Sequence, residues 1–139
     1  MTLQLYRLLF DFGLLVLIWI VQLVVYPSFR YYQREQLIKW HKKYTAQITY
    51  VVFPLMLGQL LWSGLQLLHG VSWYTSISFL VVILLWISTF LQFIPLHNKI
   101  SREDFNDDTT LQLVQKNWLR TVGWTGLFVI SLLHTQTTL

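Results

Sequence analysis

The chain has no cysteine, which excludes disulfides, thiolate metal sites, iron–sulfur clusters and cysteine nucleophiles. It is also short of charge. Only 12% of its 139 residues are Asp, Glu, Lys or Arg, about half of the roughly 25% usual in a soluble domain. That deficit points to a surface that meets lipid. What fills the gap is apolar: 55% of the residues are hydrophobic and 17% aromatic, with seven Trp and seven Tyr, the side chains that gather at membrane–water interfaces. The net charge of +4 invites comparison with nucleic-acid-binding proteins. The basic residues, however, cluster in connections beside apolar segments, a topological pattern rather than a nucleic-acid footprint, so no nucleic-acid partner is expected.

Four apolar segments are evident, at about 8–26, 45–68, 77–96 and 118–133. Each approaches the length needed to cross a bilayer as a helix. The fold class expected is all-α, a polytopic membrane protein built as a four-transmembrane-helix bundle. There is no internal repeat, linker or second domain. The first segment is too long for the apolar core of a signal peptide and lacks an A-x-A-like exit, so it reads as a retained span. Pro27 stops it, and Pro54 should kink the second. Gly70 should cap the end of the second span, and Asp107 or Asp108 the start of the fourth helix. Gly123 and Gly126 should allow close helix approach.

Orientation follows from the basic residues. Arg30, Arg34, Lys39, Lys42, Lys43, Lys99, Arg102, Lys116 and Arg120 lie in or beside the two long connections, while Arg7 stands alone at the opposite side. The positive-inside rule then puts connections 28–43 and 99–116 in the cytoplasm and both termini outside, in a bacterial inner (plasma) membrane.

Polar residues inside these segments must turn toward protein, because lipid leaves an unpaired polar group unsatisfied. Asn117, Arg120, Thr121 and Trp124 fall at i, i+3, i+4 and i+7, one face of the fourth helix. Asp11, Leu15, Trp19, Gln22 and Tyr26 define a face of the first, and Gln59, Ser63 and Gln66 a side of the second that should cross-link to a neighbour. The orientation collects Gln22, Tyr26, His41, Gln92, His97, Asn98, Asn117, Trp118, Arg120 and Thr121 at the cytoplasmic side. One reading makes them helix-end ties, with Arg120 snorkelling to lipid phosphates. The other makes them a pocket for the polar end of a lipophilic molecule that is quinone-, isoprenoid- or polyketide-like. In that pocket Arg120 would hold a carbonyl or oxyanion and His41 or His97 would move a proton. Gln22, Tyr26, Gln92, Asn98, Asn117, Trp118 and Thr121 would line it.

A metal between His41 and His97 would need a third ligand, and only Glu35 is available nearby. Haem is a separate option: His69 and His134 fall at one face, His41 and His97 at the other. Yet His41 and His69 are about 42 Å apart at about 1.5 Å per residue, which puts both pairs outside the hydrocarbon core. Asp11, read as a lone acid, is expected to bond a neighbour, with no paired intramembrane charge to carry an ion. Glu103, Asp104, Asp107 and Asp108 lack the spacing of a calcium loop and read as a solvated turn.

Segments Gln22–Phe29 (QLVVYPSF), Pro95–Ile100 (PLHNKI) and Asn117–Thr121 (NWLRT) resemble a group of small bacterial four-helix membrane proteins. An Asn after the third span, with a Trp and an Arg opening the fourth, is similar to the anthrone-oxygenase-like family. That resemblance implies a cofactor-independent, oxidoreductase-like membrane enzyme acting on aromatic polyketides, with Asn98, Trp118 and Arg120 at its functional end. The expected function is therefore binding, with oxidation as an extension, of a small lipophilic molecule. The rival is a non-catalytic subunit, a homo-oligomer or an assembly partner of a larger membrane complex.

Overall fold

The computed structural model describes residues 2–138. Those residues form four long helices: α1 (Thr2–Ser28), α2 (Arg34–His69), α3 (Trp73–Ser101) and α4 (Asp107–Thr138). They run up and down, with α1 beside α2 and α4, and α3 beside the same two from the other side. The first three are long and apolar enough to cross a membrane. The fourth is long but less apolar, because Asn117, Arg120, Thr121 and Ser131 lie along it, all turned inward. The outer surface is greasy: Leu23, Val24, Tyr50, Leu91 and Val122 are among the many large apolar side chains left exposed.

The helices outrun the apolar segments at their polar ends. Helix α2 takes in most of the first basic connection, including Lys39, Lys42 and Lys43, and the second connection shrinks to a turn around Arg102–Asn106. Lys, Arg, Gln and Glu are good helix formers, so the chain has no reason to unwind where charge begins. At 36 residues α2 is about 54 Å long, well beyond a hydrocarbon core of about 30 Å.

Two helices carry a π-turn at corresponding places. In α1 it covers Val21–Val25, and in α3 it covers Thr89–Phe93. Each ends two residues before a proline, Pro27 and Pro95. A proline ring collides with the carbonyl four residues back and removes the N–H that would have bonded it. Widening the preceding turn relieves that collision, and the ladder passes to i→i+5 bonds, Tyr26 N–H to Val21 O and Ile94 N–H to Thr89 O. Pro54 behaves differently. It sits on an exposed face of α2, and the α-helix runs through it without a break or a π-turn.

Helix ends follow local chemistry. Ser72 caps α3 through a reciprocal capping box with Thr75. Helix α4 is capped by Asn106 rather than by Asp107 or Asp108: Thr109 N–H donates to Asn106 Oδ1 at 3.1 Å. Asn106 is preferred because Thr109 stands at the third position and its hydroxyl returns to the Asn106 backbone N–H at 3.4 Å. The two Asp fill the first turn, where negative charge suits the helix dipole. Gly70 does end α2, in extended backbone. Helix α3 ends in a Schellman motif in which Glu103 takes the left-handed conformation, φ 63°, its N–H bonding Ile100 O and that of Asp104 bonding Lys99 O.

The glycines divide. A Cβ on Gly58 would lie 2.1 Å from the Phe10 ring, and one on Gly123 would touch Leu85 at 3.0 Å, so both mark close approach. Gly126 faces open space, and the expectation that it brings helices together fails.

Candidate functional site

Polar groups inside the bundle sort into two levels. At the end of the chain termini, Arg7 Nε lies 2.9 Å from both carboxylate oxygens of Asp11, one turn along α1, and neither residue is exposed. Gln59 of α2 donates to Asp11 Oδ1 at 2.6 Å and accepts from Trp124 Nε1 of α4 at 3.1 Å. Gln66 Oε1 lies 3.4 Å from Arg7 Nη1, and its amide donates to Gln4 Oε1 at 2.6 Å. Gln4 in turn donates to the Tyr74 hydroxyl of α3 and to Ser131 O. All four helices are thereby tied through one lattice. Asp11 is therefore not a lone acid: it is paired with Arg7 inside the bundle. The i, i+4 spacing of Arg7 to Asp11 is written in the sequence, but Arg7 precedes the first apolar segment, which hides the pair.

At the loop end a second set of groups meets. His41 Nε2 and His97 Nδ1 are 2.8 Å apart, with rings stacked at 5.0 Å. His97 Nε2 lies 3.1 Å from the Tyr26 hydroxyl, and His41 Nδ1 lies 3.3 Å from Ser101 Oγ. Ser101, His41, His97 and Tyr26 thus form a continuous hydrogen-bonded file from the rim to the interior. Phe29 and Tyr44 wall it, each edge-on or tilted to an imidazole.

The file opens on a cavity of about 430 Å³. That is a ligand-sized space, within the roughly 300–1,000 Å³ of small-molecule sites. Its walls are mostly apolar, from Leu14, Ile18 and Val21 of α1 through Ile48, Val52 and Met56 of α2 to Trp86 and Phe93 of α3. Tyr26, Tyr44, His97, Asn98, Ser101 and Arg120 are among its polar lining residues. Its rim is made by α2 and α3, where Thr49, Phe53, Phe90 and Ile94 are exposed, so it opens on the side of the bundle.

Arg120 is the unusual wall residue. It is 6% exposed and turned into the bundle, not out to a surface as a snorkelling side chain would be. Its guanidinium lies 4.1 Å from the centre of the Phe93 ring and 5.0 Å from that of Trp124, over both faces. The Tyr26 and Tyr44 hydroxyls are its polar neighbours. Its Nε has no hydrogen-bond partner.

The other expected site residues are distributed as follows. Gln22, Asn117 and Thr121 are fully buried but bond each other: Gln22 Oε1 accepts from Asn117 Nδ2 and from Thr121 Oγ1, each at 3.0 Å. They clamp α1 to α4 next to the cavity without lining it. Gln92 is half-buried and does not line the cavity. Trp118 is 45% exposed on the outside of the bundle, edge-on to Trp19. Trp19 is also outside, donating to Thr125, so the face drawn through Asp11, Leu15 and Trp19 is displaced by one residue; Leu14 and Ile18 are the buried pair. Tyr44 and Ser101 belong to the site and were missed. Tyr44 sits at i+3 from His41, a spacing that would have found it.

Neither histidine pair is arranged for haem. A metal about 2 Å from each nitrogen would hold His41 and His97 about 3.3 Å apart in a tetrahedral site and about 4 Å apart as the axial pair of a haem, not in a direct 2.8 Å contact. His69 is exposed with Nδ1 on Leu65 O, and His134 stacks on Tyr74 at 4.0 Å. Among the described residues no three His, Asp or Glu side chains come together, and Glu35 is exposed on α2.

No protein-family model matches the chain, and no characterised protein or solved structure does either.

Proposed function

We propose that the protein binds one small lipophilic molecule, quinone-, isoprenoid- or polyketide-like, in the cavity between its helices, with the molecule's polar end at Arg120, His97 and Tyr26. The observation that carries this reading is the cavity itself: apolar walls, a side opening between α2 and α3, and a buried guanidinium at its polar end. An apolar ligand would enter sideways from the bilayer and keep its body among Ile48, Val52, Phe53 and Phe90. The file Tyr26–His97–His41–Ser101 offers a path for a proton between the ligand's oxygen and the rim, since each imidazole can accept at one nitrogen while donating at the other. Oxidation of the bound molecule, with dioxygen as the oxidant, is the part of the reading that the resemblance to the anthrone-oxygenase-like family supports.

The same reading places the loop end in the cytoplasm of a bacterial inner membrane, with α4 as the fourth span and both termini outside. Arg120 no longer counts toward that orientation, being buried. Arg30, Arg34, Lys39, Lys42, Lys43, Lys99, Arg102 and Lys116 are all exposed at one end, while Arg7 at the other is matched by Asp11. The asymmetry is therefore sharper than the raw count.

The test is purification in mild detergent, followed by solvent extraction, mass spectrometry and an absorption spectrum. A stoichiometric lipophilic molecule, diminished in Arg120→Ala and in His97→Ala, is the expected result. An empty, monodisperse protein that is stable only with a partner would instead assign it to a membrane complex. Variants that lower yield but leave ligand retention per molecule unchanged would end the pocket reading.

A further inference from the structure

The charge on Arg120 is not balanced. It is 94% buried, in a cavity whose lining residues include no Asp or Glu. The two ion pairs among the described residues, Arg7–Asp11 and Lys42–Glu103, do not involve it. Arg7 is equally buried, and there the sequence supplies Asp11 one turn away, held by both oxygens. Arg120 receives only ring faces and phenol oxygens, which attract a cation but do not neutralise it. A buried cation without an anion is a costly arrangement, and it persists where something supplies the missing charge.

The orphan groups point the same way. Two cavity-lining side chains have buried nitrogens without partners, Arg120 Nε and Trp86 Nε1. Both are donors with no acceptor capacity. Each calls for an acceptor, and at Arg120 a carboxylate offers about four lone-pair sites and suits the planar guanidinium fork.

We infer that the molecule bound in this cavity is an anionic lipophile, a single-chain or aromatic acid whose acidic oxygens pair with Arg120 while its apolar body fills the space between α2 and α3. This rests on the cavity reading and narrows it: the neutral members of the lipophilic class, esters and alcohols of the same shape, are poor ligands. Arg120 then acts as the selector of charge, and the walls select only for size.

The full chain, reconstituted in phosphatidylcholine nanodiscs, is titrated with dibromostearic acid and with its methyl ester, reading quenching of tryptophan fluorescence by bromine at Trp86 and Trp124. The acid is expected to saturate at a concentration at least about tenfold below the ester, the scale of one charge-assisted contact. Arg120→Gln should erase that preference and Arg120→Lys should keep most of it. Circular dichroism is the folding control, and the acid-to-ester ratio of the unaltered protein decides the matter even if Arg120→Gln fails to fold. Acid and ester saturating alike, with both lost in Val52→Phe, would overturn the anionic assignment and leave the cavity reading intact. Quenching by both that never saturates, and is the same in Val52→Phe, would overturn the cavity reading as well. In nanodiscs containing phosphatidylglycerol, displacement of the acid would identify the counter-ion as a lipid headgroup, and undiminished binding would identify it as the free acid; either supports the charge argument.

Discussion

His41 Nε2 and His97 Nδ1 lie 2.8 Å apart across the interface of α2 and α3, so one imidazole must present a proton to the lone pair of the other. The tautomer of each ring is therefore set by its partner, and through them by Ser101 at one end and Tyr26 at the other. Removing one ring leaves a buried nitrogen unsatisfied. His41→Ala or His97→Ala should each destabilise the protein by about 1–3 kcal/mol. The double variant should lose less than the sum, with a coupling of about 1 kcal/mol. Thermal denaturation in detergent across the four proteins measures it, and strict additivity would show that the two rings do not act together.

The Arg7–Asp11 pair predicts a larger asymmetry. Both side chains are fully buried, and Asp11 is also bonded by Gln59. Asp11→Asn should cost about 3–5 kcal/mol, since it strands a buried cation. Replacing both with apolar residues, Arg7→Met with Asp11→Leu, should cost much less than Asp11→Asn alone. Should the double variant prove the worse of the two, the lattice owes its strength to the pair itself.

Gly58 and Gly126 should respond with opposite signs. Gly58→Ala drives a methyl into the Phe10 ring and should destabilise by about 1–3 kcal/mol, with Phe10→Leu restoring part of the loss. Gly126→Ala meets nothing within 4 Å and should stabilise by about 1 kcal/mol through helix propensity. Melting temperatures of the two variants would tell them apart directly.

Glu103 occupies a left-handed position that glycine takes at no steric cost. Its contact with Lys42, at 3.9 Å between exposed groups, contributes little in return. Glu103→Gly should therefore raise stability by about 1 kcal/mol. A melting temperature lower than that of the parent chain would mean that the Lys42 contact outweighs the backbone relief.

What the sequence disclosed, and what it hid, has physical reasons. The bundle and the inward face of α4 were legible because Asn117, Arg120, Thr121 and Trp124 keep one helical phase through an unbroken helix. Gln59, Ser63 and Gln66 were legible for the same reason. The face of α1 was not. From Asp11, steps of three or four both reach apolar residues, so Leu14 and Leu15 are equivalent on paper, and Trp19 was drawn inside when Ile18 holds that place. The π-turn then shifts the phase again before Tyr26, and nothing in residue type alone announces a widened turn except the proline that follows it. Trp118 is hidden by its neighbours: it stands between Asn117 and Arg120 in the chain, yet it points about 100° away from the first and about 160° away from the second. A pocket at this end follows from the clustered polar residues, but its apolar walls and its opening between α2 and α3 do not, because the shape of empty space is a property of how four helices fit and not of any one of them.

Each π-turn adds one residue to a stretch of helix, and a residue turns a helix by about 100°. Tyr26 and His97 lie just beyond those two additions, one on α1 and one on α3, and they meet because both helices are offset at the same depth. Part of the site is thus encoded as spacing rather than as chemistry. Deleting Val24 or Leu91, neither of which faces the interior, would leave every site side chain in the chain and swing one of them away from the other.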